Sequence, residues 1–161
     1  MENLIYTIIL LPPIGFLING LFGKKLPKAL VGGLATLLVF VPFCIALSLF
    51  WNFNHDSQAV QVKAFEWFTV NGMQVNFGFL IDQLSLMMIM IITGIGTLIH
   101  LYSMGYMSHD EGYYKFFTYL NLFIFSMLLL VMGSNYLILF IVCRYTYFLY
   151  QYITNIFRYI I

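Results

Sequence analysis

Two ionisable side chains stand in or beside a long apolar run of this sequence, where a charged group is costly and usually serves a function. His100 lies near the end of the run 83–106. A histidine has a pKa near 6.5, so His100 is suited to relaying protons; its alternative role is that of an interfacial histidine hydrogen-bonded to a neighbouring helix. Asp82 immediately precedes the run and either binds a cation, gates an entrance or caps a helix. His100 and Asp82 are therefore candidates for a proton path or for packing.

Arg144 is a third unusual charge. It follows the expected start of a fifth helix at Tyr136 by eight residues, which is about 12 Å along the axis. An arginine at the centre of a bilayer costs at least ~2.5–3.5 kcal/mol, and no acidic residue stands at matching depth in another helix. We therefore expect the fifth helix to be marginal as a membrane span. Its aromatic-rich end, residues 142–161, suits a membrane–water interface.

Other motifs that carry chemistry are missing from the sequence. It contains no nucleotide-binding loop, catalytic triad, metal-ligand pattern or paired intramembrane carboxylates, so we predict no catalytic residue, no cofactor-binding residue and no metal site. Cys44 and Cys143 both fall in apolar runs without a CxxC pattern. We expect them to be small buried side chains rather than a disulfide.

The composition defines the environment in which these side chains must lie. Of 161 residues, 62% are hydrophobic and 8% are charged, with a net charge of +1; the mean hydropathy is +0.93. Soluble domains carry about 25% charged residues. The composition excludes a soluble domain, a disordered chain and a nucleic-acid binder, and makes the lipid bilayer the first partner.

Apolar runs of bilayer length predict the helices. We expect helices at about residues 4–22, 29–51, 83–106 and 111–132, with a fifth beginning at 136. Ser108-x-x-Glu111 is a capping-box pattern before the fourth helix. The predicted fold class is thus an all-α integral membrane protein with four to five transmembrane helices.

The polar segment between the second and third helices predicts a β-hairpin at residues 65–81. Asn71-Gly72 suits a type I′ turn. Val75, Phe77 and Phe79 alternate with polar residues, as a half-buried strand requires. We expect the hairpin to cover helix ends or a neighbouring subunit.

The distribution of lysines predicts the orientation. Lys24, Lys25 and Lys28 occupy one short loop, and short basic loops stay in the cytoplasm. We therefore expect the N-terminus and the hairpin to be extracytoplasmic.

Several strings resemble one known family. They are LLPPIGF (10–16), FLIDQLSL (79–86), TGIGTLIHLYS (93–103), GYM (105–107), EGY (111–113) and FFTYLNLF (116–123). Over residues 1–141 the sequence is similar to the amino-terminal part of the antiporter-like, proton-pumping subunit L of respiratory complex I, also called NADH dehydrogenase subunit 5. The large subunit of the multisubunit Na⁺/H⁺ antiporter shares part of this pattern and is the alternative.

The resemblance implies a proton-translocating subunit of NADH:quinone oxidoreductase in the bacterial inner membrane. It implies the other membrane subunits of complex I as partners, and it places NADH, flavin, iron–sulfur clusters and quinone on other subunits. It also implies many further helices, with a glutamate on the fifth helix and lysines and histidines on later ones.

The sequence departs from the family after Ile141, where the family reads Gly-Trp-Glu and this chain reads Val142-Cys143-Arg144. An arginine therefore stands at the position of the glutamate. We expect residues 142–161 to be a divergent tail, hypothetically read out of frame, and the chain alone to be a truncated fragment without catalytic activity. An inert structural membrane fragment is the remaining alternative.

Overall fold

The computed structural model describes residues 2–52, 60–70, 73–108 and 112–160. These residues form five helices and two strands: α1 Glu2–Phe22, α2 Lys28–Asn52, β1 Val60–Val70, β2 Met73–Ile81, α3 Gln83–Tyr106, α4 Tyr113–Met132 and α5 Tyr136–Ile160. The ends of the first four helices and the start of α5 lie within two residues of the bounds expected from the apolar runs.

Four of the described helices are long and apolar enough to cross a bilayer: Asn3–Phe22, Lys28–Trp51, Gln83–Tyr106 and Tyr113–Met132. They are the first four helices of the chain, and they establish an all-α integral membrane protein. α5 is continuous and packs against α4, but it is not among the four candidate spans of the described residues.

The helices pack around a shared apolar core. α1 contacts α2 and α4, and α3 contacts α2 and α4. Small residues permit close approach in such bundles: a Cβ added to Gly96 of α3 would stand 2.6 Å from Cδ1 of Ile124 in α4. Fully buried core side chains come from all five described helices and include Ile8, Val39, Ile89, Leu128 and Ile138.

Two hydrogen bonds show which helix ends share a side of the bundle. Lys28 Nζ, at the start of α2, donates to the carbonyl oxygen of Ser108, just after α3, at 2.9 Å. At the other end Ser134 Oγ, between α4 and α5, donates to the carbonyl oxygen of Gly78 in β2 at 2.9 Å. The first four helices therefore alternate in direction, as successive membrane crossings must.

The strands β1 and β2 pair antiparallel in a two-stranded sheet. The register shifts between Lys63 and Phe65 and again between Glu66 and Phe68. Phe79 and Ile81 at the end of β2 are buried in the helical core, so this end of the sheet is part of the bundle. The turn expected at Asn71-Gly72 lies outside the described residues.

The prediction that Ser108 is the N-cap of the fourth helix, as part of a capping box, is wrong. α4 has Gly112 at that position, with no side-chain capping hydrogen bond. The Ser108 hydroxyl instead donates to the carbonyl oxygen of Gly105 at 2.9 Å, because the chain is still closing the end of α3 there. Glu111 lies outside the described residues.

The burial expected for the two cysteines is also wrong. Cys44 and Cys143 are free, and both are exposed on the isolated chain. Helix surfaces that face lipid are as apolar as the core, so an apolar run does not distinguish a lipid-facing cysteine from a buried one.

Candidate functional site: a buried polar cluster

One face of α3 carries polar residues into the bundle. Its buried residues recur at alternating spacings of three and four, which places them on a single stripe: Leu86, Ile89, Thr93, Gly96, His100 and Ser103. The Thr93 hydroxyl is satisfied within the helix, since its Oγ1 donates to the carbonyl oxygen of Ile89 at 2.7 Å. His100 is the one ionisable side chain of this stripe.

His100 is fully buried, with 0% of its surface exposed, and its two ring nitrogens differ. Nδ1 lies 2.7 Å from the carbonyl oxygen of Gly96, one turn earlier in α3. A carbonyl oxygen only accepts, so Nδ1 must carry a proton to make this bond. In the neutral ring Nε2 then holds a lone pair. Nε2 is buried and has no hydrogen-bond partner among the described residues.

Two residues of α4 lie against the His100 ring. The centroid of the Phe117 ring is 5.8 Å from the centroid of the imidazole. The amide of Asn121, one turn further along α4, interacts with His100. Asn121 is itself fully buried, and in the described part of the chain neither its Nδ2 nor its Oδ1 has a hydrogen bond of normal geometry.

Gly15 of α1 brings a third helix to this point. A Cβ added to Gly15 would stand 3.0 Å from Asn121 Nδ2 and 3.1 Å from Leu38 Cδ1. The missing side chain therefore leaves the space in which the Asn121 amide sits.

Asn19, one turn after Gly15 in α1, extends the polar region toward the α1–α2 loop. It is 0% exposed. Its Nδ2 donates a long hydrogen bond of 3.4 Å to the carbonyl oxygen of Val31, and its Oδ1 has no partner among the described residues. We call Asn19, His100 and Asn121 the polar cluster.

The polar cluster can accept and release a proton but carries no fixed charge. Each buried polar atom left without a partner costs about 1–3 kcal/mol, and four such atoms belong to its three residues. Buried groups of this kind are ordinarily satisfied by ordered water. Of the three side chains, only imidazole titrates near neutral pH.

Asp82 lies at the opposite end of α3 from His100. The two residues are eighteen positions apart, about 27 Å along the helix axis, so the structure does not bring them into one site. The Asp82 carboxylate accepts from the backbone N–H of Ser85 at 2.7 Å. This hydrogen bond lowers the pKa of Asp82 below its ordinary value of 3.8. The geometry is that of an N-cap.

Arg144 is exposed on α5 and lines a cavity of about 510 Å³ between α4 and α5. The other residues around that cavity are Tyr119, Leu122, Tyr145, Phe148 and Leu149. These side chains offer no carboxylate to Arg144, and the cavity lies apart from the polar cluster.

Sequence reasoning identified His100 but missed Asn19 and Asn121. A signal was available, because an asparagine in an apolar run of bilayer length is itself costly to bury. Among the described residues, no group of three His, Cys, Asp or Glu side chains is placed to hold a metal ion.

The fold and the polar cluster define the class of protein: a polytopic α-helical membrane protein with an ionisable group buried between its spans. Comparison with known proteins identifies the family. Residues 67–117 match the family described as NADH-ubiquinone oxidoreductase (complex I), chain 5 N-terminus.

Relatives named NADH-quinone oxidoreductase subunit L match most of the chain. The subunit from Neisseria meningitidis serogroup A is 40% identical over 140 residues, covering 84% of this chain and 21% of the relative. That from Campylobacter jejuni is 44% identical over 142 residues (88% and 22%), and that from Mycobacterium tuberculosis is 41% identical over 124 residues (75% and 20%). The chain belongs to this family of complex I membrane subunits and matches its amino-terminal part. It spans about a fifth of the length of these relatives.

Proposed function

We propose that this chain forms the amino-terminal bundle of a proton-translocating subunit of NADH:quinone oxidoreductase and assembles with the other membrane subunits of that complex. The similarity to subunit L over most of the chain supports this proposal. The four apolar helices place the chain in the membrane, as expected for a multi-pass protein of the bacterial inner membrane. In this proposal NADH, flavin, iron–sulfur clusters and quinone bind to other subunits.

Within the bundle, His100 holds a proton in transit. The observation that carries this role is the buried Nε2 of His100, which makes no hydrogen bond of normal geometry among the described residues. A proton arriving at Nε2 bonds to its lone pair and makes an imidazolium, and loss of the same proton restores the neutral ring. The Nδ1–H bond to the Gly96 carbonyl persists in both states, so the ring does not need to turn.

Asn121 complements both protonation states of His100. Its amide offers a donor, Nδ2, and an acceptor, Oδ1, and both are unpartnered in the described part of the chain. The donor suits the neutral ring, whose Nε2 accepts, and the acceptor suits the imidazolium, whose Nε2–H donates. Rotation of the amide therefore matches each state without moving a helix. Asp82 has no part in this relay and serves as the cap of α3.

The relay needs further groups to become a path across the membrane. The five described helices contain a single acidic residue, Glu2, at the first position of α1. Arg144 stands where the resemblance places a glutamate. We therefore infer that the 161-residue chain alone carries no sustained proton flux and that translocation requires the assembled complex.

The experiment compares inverted membrane vesicles from the bacterium that makes this chain with vesicles from a strain lacking it. Quenching of a pH-sensitive dye reports proton uptake after addition of NADH. We expect the deletion to abolish NADH-driven uptake while succinate-driven uptake, the control, stays unchanged. NADH-driven uptake at the wild-type rate in the deletion strain would contradict the proposal.

The same vesicles also distinguish the complex I subunit from the alternative, a subunit of a Na⁺/H⁺ antiporter. Proton movement that follows an imposed Na⁺ gradient without NADH, and that disappears in the deletion strain, would favour a Na⁺/H⁺ antiporter subunit. Proteoliposomes containing the purified chain alone test the second inference: we expect an imposed pH gradient to decay as slowly as in empty liposomes.

A further inference from the structure

A basic cavity lies where the α1–α2 loop meets the start of α4. Its volume is about 540 Å³, and its lining includes Lys24, Lys28 and Lys115. All three lysines are exposed. The neutral part of the wall comes from Leu26, Val31, Tyr113 and Tyr114. The cavity thus combines an apolar floor with a cationic rim.

Contacts within the protein hold parts of this cavity in place. Lys28 Nζ donates to the carbonyl oxygen of Ser108 at 2.9 Å, which leaves two of its three N–H donors for another partner. Lys115 Nζ lies 6.0 Å from the centroid of the Tyr114 ring. Val31 and Tyr113 are 1% and 4% exposed, so the floor is packed into the bundle.

The cavity lies at the level of a membrane surface. α1 ends at Phe22 and α2 begins at Lys28, and both helices are candidate membrane spans. Phospholipid headgroups occupy the layer just outside the hydrocarbon core. The amino ends of α2 and α4, which carry the positive ends of the helix dipoles, open at the same place.

A second cavity indicates a lipid rather than a free anion. It has a volume of about 520 Å³ and begins at Ala29 and Leu30, directly after Lys28 in the chain. It extends along α1 and α2 to Ile18 and Leu38 and is lined by apolar residues. Such a groove suits an acyl chain whose headgroup is held by the lysines.

We propose that Lys24, Lys28 and Lys115 bind the phosphate group of an anionic phospholipid in the basic cavity. Basic pockets between membrane-spanning helices recognise such headgroups through charge. Asp110 and Glu111 precede α4 and lie outside the described residues, so the test also includes their neutralised forms.

The experiment uses the full 161-residue chain, delipidated in a neutral detergent and titrated in native mass spectrometry. The probes are phosphatidylglycerol, phosphatidylcholine with the same acyl chains, and inorganic phosphate. We expect phosphatidylglycerol to bind at least ten-fold more tightly than phosphatidylcholine. Each change among Lys24→Gln, Lys28→Gln and Lys115→Gln should weaken phosphatidylglycerol binding about five-fold, and the triple variant about 100-fold.

Lys25→Gln is the matched control, because Lys25 lies in the same exposed loop but does not line the cavity. We expect it to change the affinity less than two-fold. An equal loss with Lys25→Gln and Lys24→Gln would mean general surface attraction and would overturn the site. If the triple variant loses its helical circular dichroism and is therefore unfolded, the phosphatidylglycerol affinities of Lys24→Gln and Lys25→Gln still test the site.

Two further results would overturn the proposal. One is equal affinity for the two lipids; the other is lysine-dependent binding of inorganic phosphate without any preference between the lipids. The double variant Asp110→Asn/Glu111→Gln should bind phosphatidylglycerol as tightly as the wild type or more tightly. Weaker binding would show that the carboxylates, not the lysines, organise the site.

Discussion

His100 of α3 and Asn121 of α4 meet inside the bundle with 0% of either side chain exposed. Their contact leaves His100 Nε2 and both polar atoms of the Asn121 amide without a hydrogen bond of normal geometry among the described residues. Replacing both partners of such a pair by apolar side chains of similar shape is typically neutral or stabilising. If the His100–Asn121 contact serves proton transfer at a cost in stability, a substitution that removes it should lower proton uptake without lowering the stability of the fold.

Replacement of His100 tests the relay. His100→Asn keeps a donor near Nδ1 for the Gly96 carbonyl but cannot be protonated near neutral pH, whereas His100→Ala removes both features. We expect both variants to lower NADH-driven proton uptake in inverted vesicles at least ten-fold between pH 6 and pH 8. Ser103→Ala, on the same stripe of α3, is the matched control and should keep wild-type uptake.

The opposite outcome for His100 is equally clear. If His100→Asn restores the uptake that His100→Ala loses, the hydrogen bond to Gly96 matters and the titration of the ring does not. His100 would then be a packing residue.

Replacement of Asn121 by leucine should raise stability while it lowers proton uptake. The substitution removes two buried polar atoms that lack partners, each costing about 1–3 kcal/mol. The measurement is the thermal unfolding midpoint of the purified chain in detergent, followed by circular dichroism. Thr118→Val is the control, since the Thr118 hydroxyl already donates to the carbonyl oxygen of Tyr114 at 2.7 Å. A lower midpoint for Asn121→Leu than for Thr118→Val would indicate that the Asn121 amide makes contacts that stabilise the folded chain.

The helices of this protein follow directly from its sequence. Apolar runs of bilayer length are bounded mostly by polar residues and glycines, and the limits of the first four runs agree with the observed helices to within two residues. Which face of each helix points inward could not be predicted in the same way. Both faces are apolar in a membrane protein, so the amphipathic pattern that marks the buried side of a soluble helix is lost, as Cys44 and Cys143 show.

The polar cluster was predictable only in part. His100 stands out because an ionisable residue in a membrane span is rare. Asn19 and Asn121 are neutral and far from His100 in the chain. The burial of the Asn121 amide depends on the close packing of α1 against α4, which Gly15 permits. Contacts between helices that are far apart in the chain cannot be predicted from the apolar pattern of a single sequence.

Asp82 provides a test of the cap at the other end of α3. Asp82→Ala removes the acceptor for the Ser85 N–H and should destabilise the protein by about 1 kcal/mol. Asp82→Asn keeps an acceptor at the same position and should cost much less, because asparagine caps about as well as aspartate. Unfolding in detergent measures both. An equal loss for the two variants would mean that the charge, as in a cation site, matters rather than the cap.

The pH dependence of that cap has a definite sign. The pKa of Asp82 is lower in the folded protein than its ordinary value of 3.8, chiefly because of the Ser85 N–H. Its contribution to stability is therefore complete above the ordinary pKa and is lost as the pH falls through the lower, folded value. The stability difference between wild type and Asp82→Ala should be constant from pH 5 to pH 8 and should shrink below pH 4.

Two adjacent glycines of α2 give an internally controlled test of the packing. A Cβ on Gly32 would collide with the Tyr113 hydroxyl and would stand 2.8 Å from Met104 Cγ, whereas a Cβ on Gly33 would meet nothing within 4 Å. Gly32→Ala should therefore destabilise the bundle by about 1–3 kcal/mol through overpacking. Gly33→Ala should be neutral or stabilise α2 by up to about 1 kcal/mol, because alanine favours a helix more than glycine does. The measurement is the unfolding midpoint of the two variants, compared in the same detergent. Equal midpoints would mean that α2 does not pack against α4 through Gly32.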